Sequence, residues 1–169
     1  IAAYWLPGII AAFRKDYPNV EVEILEAGSR QIERMMEERQ VDLCIYAGGE
    51  GRGYEWIPLK SDGMLVLAAP DHPLASGGKV NYEQLAKEQF IAPMQLYDGE
   101  VLEILSHFPM QPVTAFSACS DYAIINMVGM GLGVSILPQL LVENYSGGTV
   151  ALELDPPVSR MLGMGVPQM

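Results

Sequence analysis

Two kinds of segment take turns along this chain, and that alternation restricts the fold more than anything else in it. Leu6, Ile9, Ile10, Phe13 and Tyr17 follow the i, i+3, i+4, i+7 spacing of a helix face. Pro7 falls in the first turn, where its missing N–H costs nothing, and Pro18 stops the helix. Residues 20–26 then alternate apolar and acidic, the pattern of a half-buried strand. Gly28-Ser29 turns the chain, and Ser29 is placed to cap a helix carrying Ile32, Met35 and Met36. Residues 42–46 read as a short buried strand and 47–53 as a glycine-rich loop. Residues 55–60 and 64–70 read as two strands joined by a Ser61-Asp62-Gly63 turn.

After Pro70 the pattern restarts. Asn81 caps a helix through Glu88, residues 90–92 form a strand, and Asp98 caps a helix carrying Val101, Leu102 and Leu105. Residues 113–118 form a strand, and Ser120 or Asp121 caps a helix that ends in the glycines at 129–133. Residues 134–137 form a strand closed by Pro138, residues 140–145 a helix, and 149–154 and 161–166 two more strands. Strands alternating with helices predict mostly parallel sheets with helices on their faces. Two such runs predict two α/β lobes. If the last strands return to the first lobe, the chain crosses between lobes twice and makes a hinge there.

Charge excludes one class of partner. The 169 residues carry 21 acids against 10 Lys and Arg, a net charge of −11. Duplex DNA affinity comes mainly from cations that neutralise phosphates. Here the densest cationic piece is Arg14-Lys15, and residues 68–141 contain only Lys79 and Lys87. No nucleic-acid contact is expected from this chain itself. The longest apolar stretch, residues 123–137, falls short of the ~20 residues that a membrane span needs. The apolar opening is followed by its charges, the reverse of an export signal, so no membrane partner and a cytoplasmic location are expected. Two cysteines rule out a disulfide scaffold. Cys44 and Cys119 both sit in apolar runs, which predicts buried, reduced thiols.

A search for chemistry finds little. His72 lies in a turn and His107 at a helix end, and neither has a second ligand at metal spacing. No metal, no cofactor and no catalytic activity are expected: Cys119 with His107 has no local support as a nucleophile pair, and no nucleophile elbow, zinc-protease helix or phosphate-loop lysine occurs. Gly129-Met130-Gly131-Leu132-Gly133 follows a helix and precedes a strand, the wrong order for a dinucleotide loop. What remains is position. Ligands of open α/β sheets sit beyond the carboxyl ends of strands. Those ends carry Ser29, Ala47, the run Ala92-Pro93-Met94-Gln95, and Ser120 with Asp121. Helix starts there offer free N–H groups to an anion. Each serine reads equally as a helix cap, and one serine can do both. Asp121 argues for a ligand of mixed polarity. Arg30 and Arg52 are the candidate cations, though both also read as plain surface charges. Residues 4–13 and 122–130 are apolar nearly all round, and a helix on a sheet needs only one apolar stripe. Either both are buried within one chain or their outer faces pack on a second subunit; we favour a dimer.

An ordered set of short motifs resembles the effector-binding domain of LysR-type transcriptional regulators across nearly the whole chain. Leu6-Pro7 with Phe13 and Tyr17-Pro18 resembles the family's opening helix, and residues 20–26 with Gly28-Ser29 its next strand and turn. Val41-Asp42-Leu43-Cys44-Ile45 resembles its Asp-bearing strand, and Asp71-His72-Pro73-Leu74 the turn at the crossing to the second lobe. Val128, Gly131-Leu132-Gly133-Val134 and Ile136-Leu137-Pro138 resemble the last marked block. The resemblance implies a two-lobed, type II periplasmic-binding-protein-like fold. Lobe I would hold residues 1–67 and 142–169, and lobe II residues 68–141. It implies a small-molecule effector in the cleft, near Ala2, Ala3, Ser29, Ala47, Ala92, Pro93, Met94, Gln95, Ser120, Asp121 and Tyr122. It also implies an antiparallel homodimer, with Leu6, Ile9, Ile10 and Phe13 of one copy against a second-lobe helix face at Ile124, Ile125 and Val128, and allows a tetramer in the full-length protein. The family's winged helix-turn-helix DNA-binding segment and its first regulatory strand would precede Ile1, and a closing helix would follow Met169. The second reading is a secreted solute-binding protein of a transporter with the same fold.

Overall fold

The computed structural model describes residues 1, 4–49, 51, 53–94, 104, 106 and 112–168. The chain divides into two units, Ile1–Lys60 with Met161–Met169, and Ser61–Arg160.

The first unit opens on α1 (Leu6–Asp16), with Pro7 in its first turn and Arg14 and Lys15 in its last, where cations suit the helix dipole. Tyr17 N–H closes the helix on Phe13 O at 2.9 Å, and the two rings stack at 4.9 Å. None of the residues of α1 is buried. α2 (Ser29–Glu37) follows. Gly28, not Ser29, holds its N-cap position, and its carbonyl accepts the first helical bonds from Gln31 and Ile32. Ser29 is the first helical residue instead. Met36 packs with Cys44, Tyr46 and Tyr54 in a small core bordered by Ile32, Val41 and Trp56. β1 (Cys44–Ala47) pairs antiparallel with the end of β8 (Ser159–Pro167), from Cys44 opposite Gly165 to Ala47 opposite Leu162.

Residues 20–26 are not a strand. Their alternation is real, but a strand exists only as a ladder, and no described residue pairs with them. Val20, Val22, Ile24 and Leu25 are exposed.

The second unit is built on β2 (Tyr54–Ala68), which is flanked by β6 (Ser135–Pro138) and β7 (Val150–Asp155), both antiparallel to it. The turn expected at Ser61-Asp62-Gly63 is absent, and β2 runs straight through those residues. β3 (Lys79–Asn81) pairs parallel with β7. β4 (Gln89–Pro93) pairs parallel with β5 (Val113–Ala118), and Phe90 bridges to Val134. Among the described residues the sheets are mixed: β3–β7 and β4–β5 are parallel, and β1–β8, β2–β6 and β2–β7 are antiparallel.

Three α-helices of this unit lie wholly within the described residues. α3 (Tyr82–Leu85) carries a capping box, with Asn81 Oδ1 accepting from Gln84 N–H at 2.9 Å and Gln84 Oε1 from Asn81 N–H at 3.0 Å. α4 (Asp121–Gly129) and α5 (Gln139–Val142) follow β5 and β6. Ile124, Ile125 and Val128 of α4 have no exposed surface and pack on Leu67, Ile91, Leu137 and Val142. They therefore cannot form the dimer face expected of them. That helix is apolar because it seals a core, each such side chain contributing about 1.5–3 kcal/mol by burial. A second cluster joins Val66, Val80, Leu85, Phe90, Ile136 and Leu152. The helix expected after Asp98, with Val101, Leu102, Leu105 and His107, lies outside the described residues.

The chain passes between the units twice, inside β2 between Lys60 and Ser61 and inside β8 between Arg160 and Met161. The borders expected at 67/68 and 141/142 both lie within the second unit, because β7 pairs with β2 and β3.

Candidate functional site

In the second unit, the site begins with register. Pro93 stands opposite Ala118, so the carboxyl ends of β4 and β5 finish side by side. Ala92 and Pro93 are buried there, and the next residues, Met94 and Cys119, are exposed. The Cys119 thiol donates to Met94 Sδ at 3.3 Å. Cys119 thus departs from the buried thiol expected of it, since it follows its strand and points past the core. Cys44 is buried as expected, and burial pushes its thiol pKa up.

Ser120 occupies the N-cap of α4 in extended backbone, yet its side chain makes no capping bond. Asp121 opens the helix. Crowding by surrounding atoms raises its carboxyl above the ordinary carboxylate range, and the positive charge of Arg160 draws it partly back. Tyr122 is exposed, its ring set edge-on to Tyr145 at 5.1 Å, and Tyr145 Oη donates to Asn126 Oδ1 at 3.0 Å. Two strand ends and one helix start therefore gather a thioether, a thiol, a hydroxyl, a carboxylate and an aromatic ring. That set suits a small organic molecule with both polar and apolar parts.

In the first unit, Ser29 is half-buried as the first residue of α2. Ala47 is buried at the end of β1. Beneath this strand end lies a tyrosine pair that sequence reasoning missed. Tyr46 Oη and Tyr54 Oη are 2.6 Å apart, and Tyr46 Oη also donates toward Glu33 Oε1 at 3.3 Å. Burial pushes both phenols above their usual range, Tyr46 further than Tyr54. Tyr46 fixes the loop that follows: a Cβ at Gly48 would fall 2.3 Å from its ring, so only glycine fits. The inward side of β1 was the available signal, since Cys44 and Tyr46 share it by the two-residue period.

Ala2, Ala3, Gln95, Arg52 and His107 lie outside the described residues. Arg30 is exposed at the start of α2. Arg160 is a cation that bears on Asp121, and sequence reasoning did not single it out. A groove of about 300 Å³ lies elsewhere in the first unit, lined by α1 and residues 18–24. None of the expected effector residues lines it. His72 acts as a turn residue, its Nδ1 accepting from Leu74 N–H at 3.2 Å and its Nε2 3.4 Å from Glu88. Among the described residues, no three His, Cys, Asp or Glu side chains are grouped to hold a metal ion, and no helix is long and apolar enough to cross a membrane.

Comparison with known proteins places this arrangement. The profile of the LysR substrate binding domain matches residues 1–168. YvbU, an uncharacterized HTH-type transcriptional regulator of Bacillus subtilis (strain 168), is 28% identical over 172 residues, covering 99% of this chain and 58% of that protein. The DNA-binding transcriptional dual regulator OxyR of Escherichia coli (strain K12) is 29% identical, covering 97% of this chain and 56% of that protein. The chain thus spans little more than half the length of the curated relatives it matches. Among solved structures, the reduced form of OxyR aligns with a TM-score of 0.81 at 28% identity, over 99% of this chain and 82% of that one. The effector binding domain of QuiR in complex with shikimate aligns with a TM-score of 0.83 at 20% identity, over 98% of this chain and 82% of that one, a likeness of fold. With its two-unit α/β architecture and a family match across its length, the chain belongs to the LysR substrate binding domain family.

Proposed function

We propose that this chain is the effector-sensing part of a LysR-type transcription regulator, with DNA binding carried by a separate amino-terminal segment. The observation that carries this reading is the family match over residues 1–168, together with relatives that are HTH-type regulators and about half of whose length the chain covers. The net charge of −11 agrees, since phosphate contacts need cations that this chain lacks. The effector is a small organic molecule, and each unit has its own candidate contacts: Ser29 and Ala47 in the first, with Ala2 and Ala3 from the sequence alone, and Ala92, Pro93, Met94, Ser120, Asp121 and Tyr122 in the second, with Gln95 from the sequence alone. Ligands of related domains support that class: QuiR is in complex with shikimate and the CcmR regulatory domain with 2-PG. Binding acts by favouring one conformation over another, since equal affinity for both would switch nothing. The reading involves no catalysis by this chain and places the protein in the cytoplasm beside its DNA. It includes a homodimer through the exposed face of α1 at Ile9 and Phe13, with Leu6 and Ile10 beside them.

Mass and amino-terminal sequence of the whole gene product test this reading. An additional basic, helical segment of small-domain size ahead of Ile1 is the expected result. A cleaved export signal in that place would overturn it and make the chain a transport receptor.

A further inference from the structure

Asp62 is the one buried charged residue among the described ones, and its carboxylate has three donors. Arg160 Nε and Nη2 approach Oδ2 at 3.0 and 2.9 Å, and Leu140 N–H donates to Oδ1 at 2.9 Å. Both partners sit at the edge of the second unit, Asp62 two residues inside the first crossing and Arg160 the last residue before the second. Met64 N–H donates to Val158 O at 2.9 Å, a second tie between the same two stretches of chain. α5 is drawn into the same place: a Cβ on Gly63 would meet Gln139 Oε1 at 2.7 Å. Arg160 is also a cation whose charge reaches Asp121 at the start of α4.

A buried ion pair adds little net stability over apolar side chains of equal volume, but its fork geometry fixes positions. We propose that Asp62 and Arg160 are the positioning pair of the second unit: a clasp that joins the strand by which the chain enters that unit to the strand by which it leaves, and ties both to α5 through Leu140. The clasp does not rest on the function proposed above, and its test needs no effector.

The test is residue-resolved amide hydrogen exchange on this 169-residue chain and on Asp62→Asn, Arg160→Met and Arg160→Lys. Lysine keeps the charge and loses the fork, so Arg160→Lys keeps the question answerable if Arg160→Met does not fold. The expected result is exchange faster by roughly tenfold or more at Leu140 and Met64 in every folded variant, with the amides of Ile125 and Val128 in α4 unchanged. Equal acceleration at all four positions would reduce the pair to a general stabiliser and overturn the proposal. Unchanged exchange at Leu140 and Met64 would overturn it as well.

Discussion

Cys44 and Cys119 sit in similar apolar runs, yet only the first is buried. Local hydrophobicity does not say where a strand ends, and one residue past the end of a strand is enough to put a thiol outside. Thiolate is the reactive form, so exposure and pKa act together here. Iodoacetamide at neutral pH is expected to modify Cys119 in the native chain and Cys44 only after denaturation, and Cys119→Ser should abolish native labelling. Equal native labelling of both thiols would refute the assignment. Asp121 shows two effects in competition. A carboxylate in the first turn of a helix is favoured by the dipole by up to about 1 kcal/mol. Crowding nonetheless wins and raises the pKa. A folded pKa above the unfolded one means that the cost of the charge is fully present at neutral pH and fades as pH falls through the folded pKa. Asp121→Asn should therefore melt higher than the parent at neutral pH, with the gap closing in the acid range. A variant that melts lower at neutral pH would contradict this. Asp121 was legible from its place at a helix start. Asp62 and Arg160 were not, because their sequence separation carries no signal and an Asp before a Gly reads as a turn.

At the scale of elements, periodicity found α1, α2, β4, β5 and α4 close to their true limits. It failed where a partner decides the outcome. Residues 20–26 have the pattern of a strand and nothing described to pair with. Residues 61–63 have the residues of a turn, but a buried carboxylate with three donors holds them extended. The two over-apolar helices share one composition and have opposite surroundings: α1 buries none of its residues, while α4 seals a core. Substitution separates them. Ile125→Glu would place an unpaired charge among Leu67, Ile91 and Leu137 and should cost several kcal/mol, enough to lose the cooperative melting transition. Ile9→Glu, at a position 42% exposed, should change stability by no more than about 0.5 kcal/mol. In the dimer proposed through α1, the same change should slow sedimentation toward that of a monomer. A stable Ile125→Glu chain would show that α4 is not the core helix described. At the other end of the scale, Asn81→Ala should cost about 1 kcal/mol through the lost capping bond, read as a small fall in the urea midpoint with an unchanged slope.

The two-unit organisation was legible because the strand–helix pattern stops at Pro70 and begins again. The borders were not, since pairing with β2 and β3, rather than position in the chain, assigns β7 to the second unit. The positions of the candidate residues were legible in part for the same reason: strand ends and helix starts follow from the order of elements, whereas the tyrosine pair at β1 and the Asp62–Arg160 pair follow from packing. What the whole molecule does turns on whether the candidate residues take a small molecule. The direct measurement is a thermal-shift screen of small carboxylates, amino acids and aromatic acids on the chain, repeated with Ser29→Ala and Ser120→Ala. At least one compound should raise the melting temperature in a dose-dependent way, as binding to the folded state must, and both serine variants should weaken the shift while melting like the parent without ligand. A compound that stabilises the parent and both variants equally would remove these residues as the binding site, and a chain that no small acid or amino acid stabilises would remove effector sensing itself.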